Sequence, residues 1–144
     1  MESLSVPFIH QSWTEKYDGA VTARGVLRTE PDGLALEWRT EENYYGVKPK
    51  REGEIRTVLI PWRELQSIEY RRKLLLWGAL VLRTRSLRAL DGVPGVRGPE
   101  VVLTIAIGDR VEARGLAAEV ALQMIDRRLD ELGPSHAPSA LPPA

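Results

Sequence analysis

The chain has 144 residues, 43% of them hydrophobic, with 20 basic side chains, 20 acidic ones and no cysteine. A chain of this length is expected to form one domain around a buried core. Without cysteine it has no disulfide framework, thiolate zinc site or cysteine nucleophile, and a reducing cytoplasm is its expected location.

Met1–Ser12 lacks the basic start and apolar run of a secretory signal. Phe8–Lys16 mixes Phe8, Ile9 and Trp13 with polar residues and reads as a first strand. Tyr17-Asp18-Gly19 is a turn signal. Ala20–Arg28 alternates, with Val21, Ala23, Gly25 and Leu27 on one side. Pro31-Asp32-Gly33 is a second turn. Leu34–Glu41 then places Leu34, Leu36 and Trp38 opposite Glu37, Arg39 and Glu41, the pattern of an antiparallel strand with one wet face. Asn43–Gly53 is polar and reads as a mobile hairpin loop.

Glu54–Pro61 is the next strand, and Pro61–Glu64 a single helical turn with proline at its start. Leu65–Lys73 follows as a strand with Ile68 and Tyr70 inward. Leu74–Leu82 is a continuous apolar run of nine residues, about half of a bilayer span. A bend is expected at Gly78, and Ala79–Arg85 resumes as a strand. Ser86–Pro99 reads as a long loop. Glu100–Ile107 is a final strand with Val101, Leu103, Ile105 and Ile107 on one face.

Asp109–Leu132 predicts one long helix. Asp109 is a good N-cap, Glu112 completes a capping box, and Gly133-Pro134 supplies a stop. Val111, Ala118, Leu122, Ile125, Leu129 and Leu132 recur at spacings of three, four and seven, on one face. Ala121 widens this stripe; Ala117, Val120 and Met124 flank it. Since everything upstream reads as strand, the stripe is expected to cover a sheet, and Leu122→Asp is expected to unfold the domain. Gly133–Ala144, with four prolines, reads as a disordered tail. The fold class expected is mainly β (α+β): about seven antiparallel strands over residues 8–132, in a bent sheet or partly open barrel capped by the C-terminal amphipathic helix.

This order of elements resembles the pleckstrin-homology-like barrel, more narrowly its bacterial branch. The residues that carry the resemblance run from Val58-Leu59-Ile60-Pro61-Trp62-Arg63-Glu64-Leu65 through Gln66-Ser67-Ile68-Glu69-Tyr70. Leu82-Arg83-Thr84-Arg85, Val93-Pro94-Gly95 and Val101–Ile107 continue it. The resemblance implies a binding or assembly scaffold rather than an enzyme, with partners that are proteins or further copies of itself. The lipid signature of the family does not carry over. Lipid-binding members place several Lys and Arg in the first strand-to-strand loop, whereas Glu15–Gly19 holds one Lys, one Asp and one Glu.

No motif carries recognisable catalytic chemistry, and no cofactor is expected. His10 stands alone, with no His-Glu-x-x-His stretch and no Ser-centred elbow. Gly92, Gly95 and Gly98 are followed by no Lys-Ser/Thr and no helix start, so they fit no phosphate loop. Charge is nevertheless uneven. Residues 46–98 hold twelve basic and five acidic side chains, while both flanking segments are net acidic. Arg71-Arg72-Lys73 ends a strand, Lys48, Lys50 and Arg51 lie in the preceding loop, and Arg83 and Arg85 lie on the next strand. In a hairpin, Arg71 and Arg83 or Arg85 are expected on one outer face, a candidate patch for phosphates or an acidic partner. Few aromatics adjoin it, which argues against a nucleic-acid stacking platform. A continuous apolar run suits a strand with one wet face poorly. Leu75, Trp77 and Val81 are therefore candidates for an exposed interface. Two functions follow as expectations: a self-associating, non-catalytic interaction module, or a peripheral membrane adaptor that binds anionic headgroups through the basic patch.

Overall fold

The computed structural model describes residues 3–14, 19–44, 47–72, 77–94, 96 and 98–132, and of residues 12–14, 19–20, 42–44 and 47–52 the backbone alone. The turn expected at 15–18 and the tail from 133 lie outside this range. The strands are β1 (Ser5–Thr14), β2 (Gly19–Glu30), β3 (Gly33–Tyr44), β4 (Val47–Glu52), β5 (Arg56–Pro61), β6 (Leu65–Arg72), β7 (Gly78–Thr84) and β8 (Glu100–Ile105). The helix α1 spans Arg110–Leu132. All the described strand pairs are antiparallel, in the order β4-β3-β2-β1-β8-β7-β6, with β5 also on β3. Eight strands thus fill seven positions, because β4 and β5 share one edge of β3. The expected fold class is the observed one: an open antiparallel sheet and a single helix after its last strand.

The sheet bends because its two ends bury one apolar set. From β1, β2, β3 and β5 come Val6, Phe8, Ala23, Leu27, Leu34, Leu36, Trp38 and Ile60; from β7 and β8 come Leu80, Leu82, Val101, Leu103 and Ile105. In register, Val6 faces Leu27 and Leu27 faces Leu36, so alternate residues of three strands form continuous apolar rows. Where β2 crosses β3, a Cβ on Gly25 would run into the Glu37 carbonyl, so glycine alone fits that row. The opening between β5 and β6 is crossed by a 3₁₀ turn, Trp62–Glu64. Trp62 there is buried, and its indole N–H donates to the Pro31 carbonyl at 2.9 Å.

Two expectations about the strands need correction. Asn43–Gly53 is not a loop throughout: β3 runs on to Tyr44, and Val47–Glu52 pairs with it as β4. Strand pairing uses backbone groups that polar residues also possess, and at the sheet edge Pro49 has no second neighbour to fail. Ile107 leaves the last strand, begins a 3₁₀ turn and is exposed. The described residues of the Ser86–Pro99 loop are irregular as expected, and it adds Leu90 and Val93 to the core. His10 holds it there, with Nε2 at 2.9 Å from the Pro94 carbonyl and Nδ1 at 3.2 Å from that of Val102. Among its described residues, Gly92 and Gly98 have positive φ angles, 95° and 106°.

The largest correction concerns the face of α1. Its core residues are Ala113, Leu116 and Val120, each 0% exposed, with Ala117 and Met124 packed beside them. They follow a 3.6-residue stripe of their own. The stripe expected to cover the sheet faces away: Val111 is 71% exposed, Leu122 57%, Ile125 54%, Leu129 60% and Leu132 51%. Leu122 is therefore no core residue. The helix carries two apolar stripes on opposite sides, and the shorter side chains sit against the strands.

Candidate functional site

The basic residues predicted to cluster do so only in part. On β6 and β7, Ser67 faces Arg83 and Arg71 faces Ala79. Arg71 and Arg83 therefore share the outer face, but four residues apart along the ladder, about 13 Å. Each is already engaged. Arg71 binds the Glu69 carboxylate at 3.2 Å, and Arg83 binds Glu100 at 2.7 Å. The Glu69 hydrogen bond raises the Arg71 guanidinium above its ordinary value. A raised basic group loses its contribution only above the unfolded value, so this pair is insensitive to pH across the neutral range. Arg72 is exposed beyond them, opposite Gly78. The side chains of Lys48, Lys50, Arg51 and Lys73 lie outside the described residues.

Arg85 belongs to a different place. It lines a crevice with Arg63, Arg127, Arg128, Met124 and Glu131, beside Trp62. An open cleft of about 400 Å³ adjoins it, between the β2–β3 turn and the end of α1, and Asp32, Asp130 and Glu131 contribute carboxylates to its wall. Arg127 spans this end of the molecule. Its guanidinium lies 5.6 Å above the Trp62 ring and donates to the Pro31 carbonyl at 2.8 Å. One carbonyl thus receives both the indole and the guanidinium, which ties the helix end to the turn. Among the described residues no group of three or more His, Cys, Asp or Glu side chains could hold a metal ion.

Of the predicted interface residues, Trp77 is 47% exposed and Leu75 lies outside the described residues. Val81 needs correction: it is 2% exposed, flanked in register by Glu69 of β6 and Val102 of β8. The exposed apolar surface is elsewhere. Val111, Leu122, Ile125, Leu129 and Leu132 make up half of the large hydrophobic side chains exposed among the described residues, and all stand on one face of α1. Contiguous apolar surface of this size is uncommon on the exterior of a lone chain. The sequence signal for it was the stripe itself; what it lacked was the side on which the sheet would lie. No helix among the described residues is long and apolar enough to cross a membrane.

Comparison with known proteins returned no matching family model, no matching curated protein and no matching solved structure.

Proposed function

We propose that the chain is a non-catalytic interaction module of pleckstrin-homology-like architecture that associates with itself. The observation that carries this reading is the outward stripe of α1. Five aliphatic side chains, each more than half exposed, line one face of the helix that caps the sheet. Water contact with so much aligned apolar surface is unfavourable by roughly 25 cal/mol per Å², and association removes it. The alternative, a membrane adaptor acting through the basic patch, has less behind it. Arg71 and Arg83 already hold carboxylates, which leaves fewer free charges for headgroups.

Sedimentation equilibrium of the full chain over a hundredfold range of concentration tests the proposal. A mass that rises above the monomer supports self-association, and a monomer throughout contradicts it. Flotation with anionic vesicles at low salt separates the alternative, since binding through basic side chains falls steeply as salt rises.

A further inference from the structure

We propose that the outward face of α1 is a parallel coiled-coil seam joining copies of this chain. The inference rests on the self-association reading and specifies its surface and geometry. Three observations carry it.

The first is spacing. From Val111 the outward positions fall at 115, 118, 122, 125, 129 and 132, alternating steps of four and three without a break. That is the 3.5-residue period of a coiled coil, narrower than the stripe of a helix lying on a sheet. Leu122 and Leu129 take a positions; Val111, Ala118, Ile125 and Leu132 take d positions. Gly115 is the one a position without a knob.

The second is direction. The seam lies almost opposite Ala113, Leu116 and Val120, the residues that hold α1 to its sheet. A second helix laid on it meets no strand of the first copy, and two sheets end on opposite sides of the helix pair. Gly115 confirms the open space, for a Cβ there meets nothing within 4 Å.

The third is charge, and it selects the occupant. One flank of the seam carries Glu112, Glu119 and Asp126 at e positions. The other carries Arg114, Ala121 and Arg128 at g positions. In a parallel pair each g residue faces the e residue five places on in the other copy, so Arg114 meets Glu119 once on each side of the seam, while Asp126 faces Ala121. An antiparallel pair sets each row against its own kind. Arg114 lies 5.1 Å over the Tyr70 ring in the single chain; in the assembly it exchanges this contact for Glu119 of the other copy. The Arg114–Glu119 pairing is self-complementary, which a second copy satisfies and a lipid surface does not. Leu at a beside Ile at d leans toward more than two strands, whereas charged rows on both flanks suit a pair. The assembly holds two copies at least.

The test uses the full chain, with three variants at exposed positions that leave the core untouched. Ile125→Asp is expected to give a monomer that melts cooperatively. Gly115→Leu, which supplies the missing knob, is expected to tighten association at least tenfold. Ala118→Cys, in a chain with no other cysteine, is expected to oxidise to a disulfide between identical positions, as a parallel seam allows and an antiparallel one overlapping from Val111 to Leu132, which sets 118 against 125, does not. An oligomer that survives Ile125→Asp leaves self-association standing and overturns the seam. Failure of Ala118→Cys to cross-link within a confirmed oligomer overturns the parallel arrangement. A monomeric parent chain overturns both readings, and vesicle binding abolished by Ile125→Asp reassigns the stripe to lipid.

Discussion

The two apolar faces of α1 differ in what they touch and in how their residues are spaced. The inner face, Ala113, Leu116 and Val120, is small and wholly buried; the outer face, Val111, Leu122, Ile125, Leu129 and Leu132, is larger and more than half exposed throughout. Size alone would have put the outer residues in the core. Shape decides otherwise. Small side chains let the helix axis come close to Tyr70 and Ile68 of β6, which pack against the same cluster, and close packing gains dispersion contacts that bulky residues would prevent. The lesson is that apolar content identifies a helix face as sticky without saying to what. The length of the pattern is the finer guide: the inner set of fully buried residues covers two turns, Ala113 to Val120, whereas the outer set holds a 3.5 spacing from Val111 to Leu132.

Substitutions on the two faces should separate folding from association. The largest effect is expected at Leu116, which is 0% exposed. Leu116→Ala should lower stability by about 2–5 kcal/mol in urea unfolding, and Leu116→Asp should remove the cooperative transition. Next comes Gly78, where a Cβ would run into the Tyr70 side chain; Gly78→Val should lower stability by about 1–3 kcal/mol, since Tyr70 packs on the core and has little room to yield. Trp62→Phe removes the donor to Pro31 and weakens the stacking of Arg127, and should cost about 1 kcal/mol, read as a modest fall in the urea midpoint. The smallest effect is expected on the outer surfaces. Arg83→Ala breaks an exposed pair with Glu100 and should change stability by less than about 1 kcal/mol at any pH near neutral. A large loss there would mean that the ladder face is less solvated than its exposure indicates.

Much of the sheet was legible because alternation is unambiguous when one face is dry. Leu34, Leu36 and Trp38 of β3 join the core as their spacing requires. The basic patch was half legible. Alternation correctly placed Arg71 and Arg83 on one outer face, but register set them apart and supplied Glu69 and Glu100 as partners. Three things were not legible, each for its own reason. Strand β4 forms through backbone pairing, which leaves little trace in polar side chains. Leu90 and Val93 enter the core from a segment rich in Gly and Pro, where periodicity is silent. The orientation of α1 depends on which of two apolar faces fits the sheet, a question of shape that no one-dimensional pattern contains.

The central claim is that the inner face of α1 makes the fold and the outer face makes the assembly. Its most direct test is the melting temperature as a function of protein concentration, for the parent chain and for Leu122→Asp. Association confined to the folded state raises the melting temperature as concentration increases. The account predicts that rise in the parent, and for Leu122→Asp a cooperative melt near the parent's dilute value that stays flat with concentration. A Leu122→Asp chain that fails to fold, or a parent whose melting temperature ignores concentration, would contradict it.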